Sequence, residues 1–173
     1  MTTLRGTTYS LWAAPEPQAE RGIAEMIHAS AQRLQTPSFL PHMTLLGGIS
    51  GVNEADAVEK TKQLAEAMHV LAPEIRKVAS KDLYFQCVFL LLQLSDELAD
   101  AYRAAKQDNV EFMPHISLVY GELNEATKEE VVAALNPHFD SSAPVKLDRL
   151  QLWNTTGAVG AWTLVAEFGL AEV

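Results

Sequence analysis

Two stretches of this chain repeat one phrase. Phe39-Leu40-Pro41-His42-Met43-Thr44-Leu45-Leu46-Gly47-Gly48 and Phe112-Met113-Pro114-His115-Ile116-Ser117-Leu118-Val119-Tyr120-Gly121 carry Phe, Pro, His, a hydroxyl residue and Leu at the same offsets. The two histidines are 73 residues apart. That spacing is too wide for a solenoid unit and reads as a duplicated half-domain. In each copy the Pro cannot donate to a sheet ladder, so it belongs at the start of a strand. The residues after it alternate between faces. His42 and Thr44 share one face, with Met43 and Leu45 on the other; His115 and Ser117 likewise oppose Ile116 and Leu118. The apolar pairs suit a core and the polar pairs suit a cleft.

Two such copies facing each other put two imidazoles and two hydroxyls around one pocket. Phosphodiester transfer through a cyclic phosphate needs that set. One imidazole takes a proton from the attacking oxygen and the other gives one to the leaving oxygen. An unperturbed imidazole pKa near ~6.5 makes both forms accessible at neutral pH. The hydroxyls of Thr44 and Ser117 can donate to the equatorial phosphate oxygens. The scheme needs neither a metal nor a cofactor. A single His beside a Thr would read as a satisfied or surface histidine, whereas a polar pair kept in both copies reads as catalytic.

The rest of the chain predicts two α+β halves in tandem. A strand over Thr8–Ala13 puts Trp12 on its more polar face, and a helix follows Pro15 and Pro17 with Ile23, Met26, Ile27, Ser30 and Leu34 as its stripe. Gly47, Gly48 and Gly51 end the first motif strand, and Asn53 or Glu54 opens a helix bearing Val58, Thr61, Leu64, Ala65 and Met68. Glu74 to Phe85 reads as extended, and the apolar run Cys87–Leu94 as a strand covered on both faces. Ser95 caps the next helix, and a polar loop over 106–111 precedes the second motif. A short helix through Val131, Val132 and Leu135 closes at Asn136-Pro137. Val145–Trp153 is a strand with a phase shift between Leu147 and Leu150, as at a bulge. It forms a hairpin with Ala161–Phe168, where Trp162, Leu164, Ala166 and Phe168 share a face. His28 falls just off its helix stripe and reads as a surface residue, His69 lies beside the second stripe and carries no role, and His138 reads as a solvent-exposed loop residue.

Composition narrows the function. The net charge of −9 disfavours a long nucleic-acid polymer and favours a small substrate. The lone Cys87 excludes an intrachain disulfide and fits a reducing compartment as a buried thiol. Met1–Tyr9 lacks the apolar core of a signal peptide, and the run Val88–Leu92 is too short to span a membrane. A cytoplasmic protein is expected, and Asn154-Thr155-Thr156 reads as a turn despite its glycosylation pattern.

The paired His-x-[Thr/Ser]-Leu motif resembles the 2H phosphoesterase superfamily. Tyr9-Ser10-Leu11-Trp12, Phe85-Gln86-Cys87-Val88 and Pro114 to Gly121 are similar to the plant and fungal cyclic nucleotide phosphodiesterases, over most of the chain from Tyr9 to Trp162. The resemblance implies an α+β bilobal domain over residues 1–173, two antiparallel sheets flanked by helices around a central cleft. It implies opening of ADP-ribose 1″,2″-cyclic phosphate and nucleoside 2′,3′-cyclic phosphates to the 1″- or 2′-phosphate, in the metabolism of tRNA-splicing by-products. It implies His115 as the group that activates water and His42 as the one that protonates the leaving oxygen. Tyr120 becomes a substrate-contact candidate, although a regular strand would turn it away from His115. Trp12 and Phe85 are the other aromatic candidates, and the first copy has Gly48 near the place of Tyr120, so the lobes differ there. A monomer is expected. Competing readings are an RNA-end or 2′-5′ RNA ligase-like enzyme using the same four residues, a non-catalytic nucleotide-binding module, and a scaffold with a relic site.

Overall fold

Strand pairing decides how the two copies meet. In the computed structural model, which describes residues 6–105, 112–139 and 143–173, the strands are β1 (Tyr9–Pro15), β2 (Met43–Ile49), β3 (Ile75–Ser80), β4 (Val88–Leu92), β5 (His115–Val119), β6 (Leu147–Asn154) and β7 (Thr163–Gly169). The helices are α1 (Pro17–Leu34), α2 (Glu54–Ala67), α3 (Asp96–Ala105) and α4 (Glu125–Leu135). The chain is α+β, as its element order implies. Its strands run in the order β3-β4-β5-β2-β1-β6-β7, with antiparallel neighbours. The motif strands β2 and β5 are the central pair, and their register rests on one pair, Met43 opposite Ile116. The closing hairpin β6-β7 does not return to the second motif; β6 pairs with β1, beside the first. The halves are therefore interleaved rather than tandem.

One core lies beneath the sheet. Met43, Leu45, Ile116 and Leu118 join Leu90, Leu92, Leu150 and Leu152, and the helices add Ile23, Ile27, Ala57, Ala65, Leu98, Ala101 and Val131. Pro17 opens α1, whose missing N–H is no loss in a first turn. Asn53, Ser95 and Asn124 each accept a backbone N–H at the start of the helix that follows. The interior strand β4 is buried almost throughout, and Cys87 before it is buried, which pushes its thiol pKa up. His28, His69 and His138 are exposed, His138 within a 3₁₀ turn rather than a loop. Among the described residues no helix is long and apolar enough to cross a membrane.

Register shifts in β2 and β7 correct the local reading, and one in β6 agrees with it. β2 continues through its glycines to Ile49, because register shifts against β1 absorb them and Gly48 takes φ 67°. In β6 the shift falls between Leu147 and Arg149, inside the interval where the apolar phase changes. In β7 Val165 is the extra residue: Leu152 faces Ala166 but Trp153 faces Leu164. That slip breaks the expected shared face and leaves Leu164 exposed; Trp162 lies outside the strand because it caps the 3₁₀ turn Val159–Ala161 that precedes β7. The expected extended stretch to Phe85 also stops early. The Lys81 N–H donates to the Gln86 carbonyl, and Tyr84–Gln86 forms a 3₁₀ turn. The loop expected over 106–111 lies outside the described residues, as does the start of the chain, 1–5.

Candidate active site

The central register builds the site. An antiparallel register through Met43 and Ile116 brings position 42 beside 117 and position 44 beside 115. Each histidine is thus neighboured by the hydroxyl residue of the other copy. All four side chains line one cavity of about 360 Å³, together with Trp12, Phe85, Tyr120, Trp162, Ser10 and Gln86.

Both imidazoles are held the same way. His42 Nδ1 lies 2.7 Å from the Leu40 carbonyl, and His115 Nδ1 lies 2.9 Å from the Met113 carbonyl. A carbonyl only accepts, so each Nδ1 carries the proton and each Nε2 offers a lone pair. Burial favours this neutral form. His42 is 5% exposed, and its burial, opposed by the Leu40 hydrogen bond and aided by His115, pushes its pKa down to about 3. Burial also lowers the pKa of His115, against the Met113 hydrogen bond, with a smaller push from the Lys81 charge.

The aromatic residues are not equivalent. Trp12 stacks on the His42 ring at 3.4 Å between centroids, 5° from parallel, and on Trp153 at 4.5 Å. The Trp153 indole donates to Gln151, and the Gln151 amide donates to Glu167, so a buttress runs from β7 to the His42 ring. Tyr120 reaches the cavity because β5 ends at Val119. It is buried, stacks on Phe39 at 3.7 Å, and its hydroxyl donates to His42 Nε2 over a long 3.5 Å. Burial, then the neighbouring Tyr84, keeps the Tyr120 phenol protonated by raising its pKa. Phe85 is 51% exposed at the cavity mouth.

Ser117 breaks the symmetry of the two hydroxyls. It donates to the Phe85 carbonyl at 2.7 Å, so it must turn before it can donate to anything in the cavity. Sequence reasoning placed the two histidines, Thr44, Ser117, Trp12, Phe85 and Tyr120 as candidates, and the structure brings all seven to this cavity. It missed Ser10, Gln86, Thr155 and Trp162, which also line it. Ser10 was accessible to the same period-two argument, two residues before Trp12 on β1. In the sequence Thr155 presents itself only as a turn residue and Trp162 only as a strand residue. A second cavity, about 420 Å³, adjoins the first and shares His115, Thr44, Gly47 and Gln86 with it. Lys81 lines it.

Comparisons with known proteins agree on the family and the fold. Residues 7–170 match the family model described as cyclic phosphodiesterase-like protein. A cyclic phosphodiesterase of Arabidopsis thaliana is 30% identical over 164 residues, covering 90% of this chain and 89% of that protein. The fold is similar to E. coli LigT complexed with ATP, with a TM-score of 0.65 at 15% identity, covering 96% of this chain and 99% of that one. It is also similar to E. coli LigT complexed with 3′-AMP, with a TM-score of 0.59 at 14% identity, covering 97% of this chain and 100% of that one.

Proposed function

This chain belongs to the cyclic phosphodiesterase-like protein family of 2H phosphoesterases, and from that premise we propose that it opens small cyclic phosphates by two-histidine acid–base catalysis, with ADP-ribose 1″,2″-cyclic phosphate and nucleoside 2′,3′-cyclic phosphates as substrates. The observation that carries the reading is the pair of imidazoles in one cavity, each held at Nδ1 by the carbonyl two residues back and each with Nε2 unprotonated.

The phosphate lies between the two rings. Water forms the new O–P bond opposite the leaving ribose oxygen and gives its proton to His115 Nε2. The P–O bond to the 3′ (or 2″) oxygen breaks, and that oxygen takes a proton from His42 Nε2. The product keeps its phosphate on the 2′ (or 1″) oxygen. Two features support this orientation. His115 borders the second, Lys81-lined cavity, from which water can enter. His42 is buried under the Trp12 ring and faces the Tyr120 hydroxyl, a dry setting for the group that gives up a proton rather than the one that meets water. The His42 imidazolium is unfavourable in the empty site, and the negative phosphate offsets that burial when bound. Thr44 and Ser117 donate to the non-bridging oxygens, Ser117 after releasing the Phe85 carbonyl.

The net charge of −9 and a cavity of about 360 Å³ support a nucleotide-sized occupant rather than a polymer, within one bilobal domain. The complexes of LigT with ATP and with 3′-AMP support the same size class. The test is a ranking of kcat/KM for ADP-ribose 1″,2″-cyclic phosphate, 2′,3′-cyclic AMP and RNA oligomers ending in a cyclic phosphate. The small substrates should exceed the oligomers by about tenfold or more at low salt, where repulsion by the acidic surface is strongest. The opposite ranking would make the chain an RNA-end enzyme. Binding of the small ligands without turnover would make it a binding module.

A further inference from the structure

We infer that Phe85 and Trp162 form a clamp for the nucleobase, and that Trp162 is therefore a substrate-binding residue. The inference rests on the proposed reading that nucleoside cyclic phosphates are substrates. It follows from asking which rings of the cavity still have a face to offer. The Trp12 ring is 3% exposed and is taken up by its stacks on His42 and Trp153. Tyr120 is also 3% exposed, with Phe39 parallel to it and its hydroxyl directed at His42. These two rings hold the imidazole and each other's surroundings; neither is open for a base.

Phe85 and Trp162 differ. Phe85 is half exposed, Trp162 is partly exposed, and both line the cavity. Their ring centroids are 6.0 Å apart, tilted 32°. A flat base contacting a ring on each face at ~3.5 Å needs those rings ~7 Å apart. An opening of about 1 Å admits it. The rings come from opposite blocks of the sheet, Phe85 from the turn between β3 and β4, Trp162 from the connection between β6 and β7. Neither ring is in a parallel stack: Phe85 meets Tyr84 at 5.0 Å and Tyr120 at 5.1 Å at near right angles while its carbonyl accepts from Ser117, and the Trp162 indole N–H donates to the Gly157 carbonyl. Trp162 stands 5.9 Å from Trp12 and 6.1 Å from Tyr120, one ring removed from the His42 stack. That is a fitting place for a base whose ribose reaches toward the two histidines.

The experiment compares 2′,3′-cyclic AMP with a probe that has no base, the 2,3-cyclic phosphate of methyl riboside. Stacking on a single ring makes Trp162→Ala raise KM for 2′,3′-cyclic AMP about tenfold. Its kcat for that substrate, and its kcat/KM for the baseless probe, stay within about twofold of the parent protein. Trp162→Phe, which keeps an aromatic face, retains most of the affinity for 2′,3′-cyclic AMP. Adding 2′-AMP quenches tryptophan fluorescence in the parent protein, and the quench is lost in Trp162→Phe. An equal loss on both substrates would reduce Trp162 to a structural residue, and an unchanged KM for 2′,3′-cyclic AMP would place the base elsewhere. Each result overturns the clamp and leaves the substrate reading standing. Failure of the parent protein to turn over 2′,3′-cyclic AMP overturns the substrate reading itself, and the clamp with it.

Discussion

His42→Ala and His115→Ala are each expected to lower kcat by ~10²–10⁴-fold, the range for losing one general acid or base. Both histidines face the cavity, while the core side of each motif strand is carried by Met43, Leu45, Ile116 and Leu118. Removing an imidazole therefore leaves the central seam intact. His42→Asn is the gentler control, because its amide can still donate toward the Leu40 carbonyl that His42 Nδ1 now engages. The double substitution should be little worse than either single one, since an acid and a base acting in one step are not additive. Thr44→Ala and Ser117→Ala should cost less, because each removes one donor and leaves the proton transfers in place. Steady-state kinetics and a thermal melt of each variant check both halves of the expectation. A nearly fully active His115→Ala protein would contradict the mechanism.

The pH profile of kcat/KM is the second large effect. In the free protein both imidazoles are depressed, His42 to about 3 and His115 below its ordinary value, burial being the main cause for each. Depression of an imidazole favours its neutral, proton-accepting form. The reaction needs one proton on the pair, one ring charged and the other neutral. Above the upper pKa of the pair that singly protonated state falls tenfold for each pH unit, so kcat/KM should fall ~100-fold between pH 7 and pH 9. Below about pH 3 both rings are charged and the base is lost, so the rate falls again. The maximum of kcat/KM thus lies on the acid side of ~6.5, and the two limbs belong to the coupled pair. The kcat profile, which reports the complex, should sit at higher pH because the bound phosphate stabilises an imidazolium. A kcat/KM that is flat from pH 6 to pH 9 would show that no imidazole proton is required.

What the sequence made legible was the facing of residues. Period-two alternation separated His42, Thr44, His115 and Ser117 from Met43, Leu45, Ile116 and Leu118, and the structure keeps that division. Ser95 as a cap and the phase shift near Leu147 were legible because both are local. Strand partnership was not. Nothing in the residues of β6 says that it pairs with β1 rather than β5, since the apolar pattern reports a buried face and leaves the neighbour open. Ring partnership was hidden for the same reason. Trp12 on a polar face looked free for a ligand, yet it is occupied by His42 and Trp153 across the sheet. Trp162 looks like a strand residue in the sequence, yet it caps a 3₁₀ turn over Val159–Ala161 and β7 starts only at Thr163. The Ser117 bond to the Phe85 carbonyl depends on a 3₁₀ turn that propensity does not mark.

The first measurement would follow 2′,3′-cyclic AMP and ADP-ribose 1″,2″-cyclic phosphate by phosphorus NMR with the purified protein in excess EDTA. Two-histidine catalysis with His42 protonating the leaving oxygen predicts full turnover, with resonances of the 2′-phosphate and the 1″-phosphate alone. Loss of turnover on adding EDTA, restored by a divalent cation, would contradict catalysis by the histidine pair. Accumulation of the 3′- or 2″-phosphate would contradict the orientation assigned to the phosphate between His42 and His115.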